Sequence, residues 1–262
     1  MFSMSQPVKV VAIIQARMTS SRLPGKVLKE IASFPMLYHV VNRVMAAKKV
    51  DEVVVATTKD AADDLILKFC LQNNYNCFRG NSYDVLDRYF QAAVQTEADV
   101  IVRITSDCPL MDSAMIDMLV DTFLSSDVDF LTNRLPPPWK RTYPIGLDVE
   151  IVRFSGLERA WREAQSPFER EHVMPYFYDK PGRFKIQVVD HDPDFGEKRL
   201  TVDTPEDFEL ISRLFNLFHP RIDFSWLEAI EQLQKHPEIE KINQGVTAKN
   251  MAETDKRFGG LK

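Results

Sequence analysis

The sequence has few cysteines and no long apolar run. Its three cysteines, Cys70, Cys77 and Cys108, are odd in number and lack the spacing of metal ligands. They are therefore typical of reduced thiols rather than of a disulfide framework. No segment is long and apolar enough to predict a transmembrane helix. The first residues also lack the pattern of a secretory signal peptide, so we expect a cytoplasmic protein.

An excess of positive charge is also missing. The formal net charge is −5 at pH 7, from 33 Lys and Arg against 38 Asp and Glu. A general nucleic-acid binder is normally basic, so this composition argues against such a partner. Any anionic ligand must instead be bound by a local group of cations. The 45% hydrophobic content of the 262 residues suffices for one large α/β domain or two small ones.

Several common motifs of nucleotide and acyl chemistry are absent. No G-x-G-x-x-G follows a predicted strand, so a dinucleotide site is unsupported. The pair Gly25-Lys26 has no glycine five residues earlier, so it is not a P-loop. No G-x-S-x-G elbow occurs, and the five histidines show no metal spacing. The sequence therefore does not indicate a dinucleotide enzyme, a P-loop enzyme or a serine hydrolase of the elbow type.

The most informative stretch begins at Val10. The unbroken apolar run 10–14 is rich in β-branched residues and predicts a strand buried on both faces. Three cations lie in the loop that follows: Arg17, Arg22 and Lys26. Ligands of open α/β sheets bind at the carboxyl ends of strands. Three cations there, with Gly25 allowing close approach of the backbone, favour a nucleoside triphosphate site over an ordinary solvated loop.

Strand and helix patterns alternate through the first half of the chain. Strands are predicted at 10–14, 52–56, 75–78, 99–104 and 128–131. Apolar residues at helical spacing lie between most of these segments. The alternation implies right-handed crossovers, and it predicts an α/β fold with a mainly parallel sheet flanked by helices.

The second half of the chain is less regular. Three prolines at 136–138 end the alternation, because proline continues neither a helix nor a strand ladder. Further strands are predicted at 146–152, at 184–189 in antiparallel orientation, and at 200–203. The pair Thr204-Pro205 then marks a helix start. Periodicity is lost near the end, so we predict a single domain over 7–242 and a mobile tail over 243–262.

Two aspartates stand at predicted strand ends. Asp107 follows the fourth strand and Asp203 ends the late strand, so both can lie on the rim that bears the basic loop. Mg²⁺ is usually held by one or two carboxylates together with substrate phosphate oxygens. A shared Mg²⁺ site and two separate turn or cap roles both remain open. The charged group 169–172 is either a solvated helix start or a substrate contact, and His172 suits proton transfer near neutral pH.

The stretch IIQARMTSSRLPGKVL resembles the opening signature of the cytidylyltransferases that make CMP-activated sugar acids, namely CMP-KDO synthetases and acylneuraminate cytidylyltransferases. Further segments stand in the order of the spore coat polysaccharide (SpsF-like) branch: DEVVVATT, FRGNSYDVLDRY, ADVIVRITSDCPLMD, YPIGLDVEI, REHVMPYFY and LTVDTPEDF. The resemblance covers most of the chain. It implies a Rossmann-like, glycosyltransferase-A-like mixed sheet with a β-rich insertion, and nucleotidyl transfer from a nucleoside triphosphate to a sugar.

The resemblance also implies roles for individual residues. The nucleotide would contact Gln15, Ala16, Arg17, Arg22, Lys26, Thr57, Thr58, Arg79, Gly80 and Asp107, and four of these would be catalytic: Arg17, Arg22, Lys26 and Asp107. Mg²⁺ would be held by Asp107 and Asp203. The acceptor sugar would contact Tyr143, Asp148, Glu150, Arg170 and His172. An insertion at about 131–189 would bind the acceptor and build a homodimer.

Two positions depart from the pattern of the sugar-acid enzymes. Ser106 stands where those enzymes tend to have glycine, which matters if the backbone φ is positive there. Cys108-Pro109 stands where they have Glu-Pro. The identities of the nucleobase and of the acceptor are therefore the properties that the resemblance predicts least well. CTP and a sugar acid are favoured, but three alternatives stay open: another triphosphate with a sugar 1-phosphate, a glycosyltransferase that consumes a nucleotide sugar, and a non-catalytic nucleotide-binding protein.

Overall fold

The computed structural model describes residues 7–135 and 141–247, and these residues contain nine strands. In chain order the strands are β1 (Val10–Gln15), β2 (Glu30–Ile31), β3 (Phe34–Pro35), β4 (Glu52–Thr58), β5 (Asn76–Gly80), β6 (Val100–Thr105), β7 (Phe130–Thr132), β8 (Glu150–Arg153) and β9 (Ile186–Val188). Seven of them form one sheet in the order β5-β4-β1-β6-β8-β7-β9, and β2 pairs with β3 in a small hairpin.

The sheet is mixed and mainly parallel, as the sequence predicts. β1 lies between β4 and β6 and is parallel to both, and β5 extends the parallel half beyond β4. β8 is antiparallel to its neighbours β6 and β7. The edge strand β9 is parallel to β7, so the antiparallel orientation predicted for 184–189 is wrong. A strand of three residues carries no local signal of its direction, because that direction depends on the path of the preceding helices.

The helices lie on both faces of the sheet. In chain order they are α1 (Met36–Met45), α2 (Asp64–Gln72), α3 (Val85–Gln95), α4 (Ser113–Ser125), α5 (Phe154–Glu163), α6 (Pro167–His172), α7 (Pro175–Tyr178), α8 (Pro205–Phe218), α9 (Trp226–Lys235) and α10 (Pro237–Glu240). Short 3₁₀ helices occur at Lys26–Leu28, Ala61–Asp63 and Lys241–Asn243. Within the described ranges, no helix is long and apolar enough to span a lipid bilayer.

Two hydrophobic cores explain why the first strand is apolar throughout. Val10, Ala12 and Ile14 pack into the core beneath α1, α4, α8 and α9. Val11 and Ile13 point to the other face, into the core formed with α3, α5 and α7. Successive side chains of a strand point to opposite faces, so a strand between two cores must be apolar at every position.

The second half differs from the sequence prediction in two places. The described part of 131–189 contains more helix than strand, and its short strands join the central sheet. Residues 200–203 form no strand and run alongside the end of β6 instead. Asn243, the first residue after the predicted boundary at 242, is buried. The rest of the predicted tail, 248–262, lies outside the described residues.

Candidate active site

The basic loop after β1 folds back on itself at the carboxyl edge of the sheet. The Gly25 amide donates to the Met18 carbonyl at 2.9 Å, and the Met18 amide donates to the buried Asp63 carboxylate at 2.7 Å. Gly25 has a φ of +71°, in the left-handed region that other residues rarely adopt. The left-handed conformation favours glycine at this turn, whereas the predicted role of Gly25 in close approach of the backbone to a ligand stays a prediction.

Lys26 is the centre of a charged cluster. Its Nζ donates to Asp107 Oδ2 at 3.0 Å, Asp203 Oδ1 at 2.9 Å and the Val202 carbonyl oxygen at 2.7 Å. An ammonium group has three donors, so all of them are used. Burial alone would lower the pKa of Lys26, but the charges of Asp107 and Asp203 outweigh it and raise the pKa above 10.5. Lys26 is therefore positively charged at neutral pH.

Asp107 ties the two halves of the cluster together. Burial would raise the pKa of its carboxyl, but the charge of Lys26 and a 2.6 Å hydrogen bond from Thr105 Oγ1 hold that pKa below 3.8. The Asp107 carbonyl oxygen accepts from the Val202 amide at 2.8 Å and from Thr201 Oγ1 at 3.1 Å. These bonds fix the segment that carries Asp203 against the end of β6, which brings the two predicted carboxylates together.

Asp203 contacts three cations. Besides Lys26, its Oδ2 atom lies 2.9 Å from Arg22 Nη2 and 2.9 Å from Arg199 Nη2. Arg199 also forms an ion pair with the fully buried Asp207, which caps α8 with Thr204 as the sequence predicts. The position of Asp203 is therefore set from behind by a network of ion pairs and from the front by the basic loop.

The two carboxylates suit a hard divalent cation. Both place an oxygen within 3.0 Å of one nitrogen, so they converge on a single point. Among the described residues, no group of three or more His, Cys, Asp or Glu side chains could hold a metal ion. Mg²⁺ commonly takes one or two carboxylates and completes its shell with water and substrate phosphates. The donor set therefore fits a Mg²⁺ ion that arrives with a nucleotide, and such an ion would compete with Lys26 for the same oxygens.

A polar cavity opens beside this cluster. Eight of the predicted site residues line it: Gln15, Ala16, Arg17, Arg22, Lys26, Asp107, His172 and Asp203. Glu171 lies next to His172 in the wall that α6 contributes. The adjacent Val173 is buried with a φ of +71°, an unusual conformation for a β-branched residue. The chain thus turns sharply just after the two polar residues that face the cavity.

Four residues predicted to contact the nucleotide do not line the cavity. Thr57 and Thr58 are buried, and Thr58 Oγ1 donates a hydrogen bond to Asp63. Arg79 donates to the Thr58 carbonyl oxygen at 2.8 Å and forms an ion pair with Asp64. Gly80 lies beside these residues at the end of β5. Because Asp63 also accepts from the Met18 amide, these contacts support the basic loop that follows β1.

Four residues predicted to contact the acceptor also lie away from the cavity. Tyr143 packs against Trp226 and is buried. Asp148 forms ion pairs with two arginines, Arg134 and Arg141. Arg170 forms an ion pair with Asp84 at the start of α3 and so fastens α6 to that helix. The fourth residue, Glu150, acts on the cavity through a neighbour.

Arg103 is a cavity residue that sequence reasoning missed. It lies opposite Glu150 in the register between β6 and β8, and the two form a buried ion pair. Burial would lower the pKa of Arg103, but the charge of Glu150 raises it above the ordinary value. Arg103 Nη2 also donates to Gln15 Oε1 at 3.1 Å. The signal was present, because Arg103 is a charged residue inside an otherwise apolar strand.

The structure also answers the question raised by Ser106 and adds Arg88 to the cavity. Ser106 also lines the cavity, and it is not among the non-glycine residues with positive φ in the described part of the chain. The serine therefore imposes no backbone penalty at the turn before Asp107. Arg88, on α3, is a second missed cavity residue and is almost completely buried. At its position in the sequence it looks like an ordinary charge on the polar face of a helix.

Known proteins resemble this chain over most of its length. A family model described as cytidylyltransferase matches residues 11–247. The spore coat polysaccharide biosynthesis protein SpsF of Bacillus subtilis is 32% identical over 238 residues, covering 87% of this chain and 95% of that protein. The 3-deoxy-manno-octulosonate cytidylyltransferase of Solibacter usitatus is 27% identical over 247 residues, covering 80% and 95%.

Solved structures share the architecture. A cytidylyltransferase from Leptospira borgpetersenii superposes with a TM-score of 0.84 at 36% identity, covering 93% of this chain and all of that one. A CMP:2-keto-3-deoxy-manno-octonic acid synthetase complexed with CTP gives a TM-score of 0.60 at 20% identity, covering 80% and 99%. The second likeness is one of fold, and it confirms the predicted Rossmann-like sheet.

Proposed function

Since the chain belongs to the cytidylyltransferase family and is thus a nucleotidyltransferase, we propose that it transfers CMP from CTP to a sugar acid and releases pyrophosphate. The observation that carries the proposal is the contact of Lys26 with Asp107 and Asp203, in a cavity that Arg17 and Arg22 also line. The relatives named for spore coat polysaccharide biosynthesis and for 3-deoxy-manno-octulosonate support a sugar acceptor and a role in glycan biosynthesis.

The proposed reaction depends on positioning and charge. An oxygen of the sugar attacks the α-phosphorus in line, and pyrophosphate leaves from the opposite side. Little covalent chemistry is required of a protein in such a transfer, so electrostatic stabilisation supplies most of the rate. Arg17 and Arg22 would stabilise the leaving pyrophosphate. Lys26, held charged by two carboxylates, would add a fixed positive charge beside the reacting phosphates.

Asp107 and Asp203 would hold the Mg²⁺ ion in this proposal. When bound, the ion supplies positive charge at the α-phosphate and lowers the pKa of the attacking hydroxyl. Both residues are well placed for such a role, because their hydrogen bonds fix them at one edge of the cavity. Arg199 and Thr105 supply those bonds and would keep the two carboxylates in place when the ligand enters.

The acceptor would lie on the side of the cavity formed by α6. Glu171 and His172 line that side and offer polar atoms for sugar hydroxyls. Of the four predicted acceptor residues outside the cavity, Glu150 and Arg170 support its walls through the contacts described above. Direct contact of all four with the sugar stays a prediction. The homodimer implied by the family resemblance likewise stays a prediction.

The test is pyrophosphate release in the presence of Mg²⁺. Four nucleoside triphosphates would each be paired with a panel of sugar acids and sugar 1-phosphates. We expect release that requires both CTP and a sugar acid. In the Asp107→Asn variant we expect the rate to fall by about 10²- to 10³-fold, as on removal of other groups that stabilise a transition state.

The matched control is Asp127→Asn, which removes an exposed carboxylate far from the cavity and should leave the rate unchanged. Release with another triphosphate and a sugar phosphate would keep the mechanism and replace the substrates. Binding of a nucleotide sugar without pyrophosphate release would identify a glycosyltransferase. Nucleotide binding without any turnover would identify a non-catalytic protein, and normal turnover by the Asp107 variant would remove that residue from the mechanism.

A further inference from the structure

Arg88 is a buried cation at the floor of the candidate cavity. It belongs to α3 and lines the cavity together with Val85, one turn earlier on the same helix. Only 2% of its surface is exposed. Arg103, the other buried arginine of this wall, has a carboxylate partner in Glu150. Arg88 therefore lacks the directly bonded carboxylate that Arg103 has.

No carboxylate or carbonyl satisfies the Arg88 side chain within the described residues. Its Nε atom is buried without a hydrogen-bond partner, and its guanidinium forms no ion pair there. A buried charge without a partner destabilises a folded protein, so such groups are retained where a ligand completes them. Arg88 lines the cavity, which is the place from which a ligand could reach its side chain.

The end of β5 is shaped to admit this side chain. A Cβ atom at Gly80 would lie 2.8 Å from the Arg88 Cγ atom, so any larger residue would push the arginine stem out of position. The resemblance assigned Gly80 to the nucleotide site, and this contact gives a physical reason for glycine there. Gly80 makes room for Arg88 and for the Phe78 ring, and its contact with the nucleotide stays a prediction.

We infer that Arg88 binds an anionic oxygen of the ligand at the floor of this cavity. The inference rests on the proposed function, which brings two anions to the site: the nucleotide phosphates and the carboxylate of the sugar acid. An anion is required because a neutral acceptor would leave the buried charge uncompensated. Burial lowers the pKa of Arg88 and the charge of Arg17 lowers it further, although Tyr89, Asp63 and Asp60 partly oppose this shift. A phosphate shared with Arg17 would relieve both effects, so the nucleotide is the favoured source.

The test measures the binding of cytidine, CMP and CTP by calorimetry, and the KM of the acceptor by pyrophosphate release. Arg88→Met keeps an unbranched stem and removes the charge, whereas Arg88→Lys keeps a charge without the planar fork. We expect Arg88→Met to weaken CTP binding by about 10- to 100-fold, to weaken CMP binding less and to leave cytidine binding unchanged. Arg88→Lys should be intermediate. Unchanged CTP binding with a similar rise in the acceptor KM would assign the anion to the sugar carboxylate.

Equal losses for cytidine and CTP, or no loss in either assay, would overturn the inference. A wild-type chain that neither binds CTP nor releases pyrophosphate would overturn the proposed function, and the inference with it. The matched control is Arg43→Met. Arg43 is 9% exposed, lies outside the cavity and donates to the carbonyl oxygens of Ile222 and Phe224. Its loss should lower the Tm and leave nucleotide binding unchanged.

The melting temperatures of the two variants also distinguish the roles of Arg88 and Arg43. Arg88→Met removes a buried charge that has no direct hydrogen-bond partner, so its Tm should equal or exceed that of the wild type. Arg43→Met leaves two carbonyl groups without donors, so its Tm should fall. A fall in Tm for Arg88→Met as large as that for Arg43→Met, with nucleotide affinity unchanged, would show that Arg88 is a structural residue and would contradict the inference.

Discussion

Lys26 shows how a single side chain can prepare a site for a polyanion. Its ammonium lies between Asp107 and Asp203, and Asp203 is further balanced by Arg22 and Arg199. The cluster is thus electrically compensated before any ligand binds. A triphosphate alone would add several negative charges beside a cluster whose own cations, Lys26, Arg22 and Arg199, already have partners. Under the proposed function, a triphosphate bound with a divalent cation would add far less net charge, so the metal–nucleotide complex would be the favoured binding species.

His39 offers a prediction at the residue scale. It is buried under α8, with its ring 4.5 Å from that of Phe215, and its Nε2 atom lies 2.7 Å from the Ile31 carbonyl oxygen. Burial lowers the pKa of His39 below its ordinary value of 6.5, while the bond to Ile31 opposes that shift. The unfolded chain therefore binds a proton at a higher pH than the folded chain does.

Acid therefore destabilises the folded chain through His39. As the pH falls below about 6.5 the unfolded state gains the proton first, so the free energy of unfolding falls, by at most about 1.4 kcal/mol per pH unit. His39→Gln should flatten this slope between pH 6.5 and the folded-state pKa in urea titrations. His236→Gln, which removes an exposed ring, should keep it. An identical slope in the wild type and the His39 variant would contradict the assignment.

At the scale of elements, the last described segment buttresses the start of α8. Asn243 Nδ2 donates to Asp207 Oδ1 at 2.9 Å and to the Arg199 carbonyl oxygen at 3.2 Å. Asp207 accepts in turn from the Asp203 amide at 3.0 Å. The 3₁₀ helix Lys241–Asn243 therefore completes a network that ends at a proposed metal ligand.

Asn243→Ala should destabilise the chain by about 1–3 kcal/mol, because it leaves buried polar groups without a partner. The measurement is the urea midpoint of unfolding. Asn216→Ala, at an exposed position of α8, is the matched control and should change stability by less than about 0.5 kcal/mol. Equal midpoints for the two variants would show that the hydrogen bonds of Asn243 contribute nothing to the stability of the fold.

The sequence predicts those elements whose signal is local. β1, β4 and β6 carry apolar runs, and the capping box of α8 is written in adjacent residues, so all four were found within a few positions. The direction of β9 was not predicted correctly, because it depends on pairing with β7 across more than fifty residues.

The site residues likewise divide into those with a local signal in the sequence and those placed by distant packing. Arg17, Arg22 and Lys26 stand in one recognisable loop, whereas Arg88 enters the cavity only through the packing of α3 on β5.

At the scale of the whole molecule, one sheet separates two cores and joins them. β1, β6 and β8 each send alternate side chains to opposite faces, so neither core can lose its strands while the other stays intact. Strands β7 to β9, from the segment first expected to form an insertion, complete the same sheet. The described residues therefore form one architectural unit, although their helices lie in two layers.

We expect the chain to unfold in a single cooperative transition, because the shared sheet couples the two cores. Trp161 contacts the core of α3 and α5, and Trp226 lies in the core of α8 and α9. Replacing the other two tryptophans by Phe in each case leaves one reporter per core. The fluorescence midpoints of both variants in urea should coincide with the midpoint of far-UV circular dichroism measured on the same variant. Loss of the Trp161 signal at lower urea would mean that the segment around 131–189 unfolds separately, as an inserted unit would, despite the strands that it contributes to the sheet.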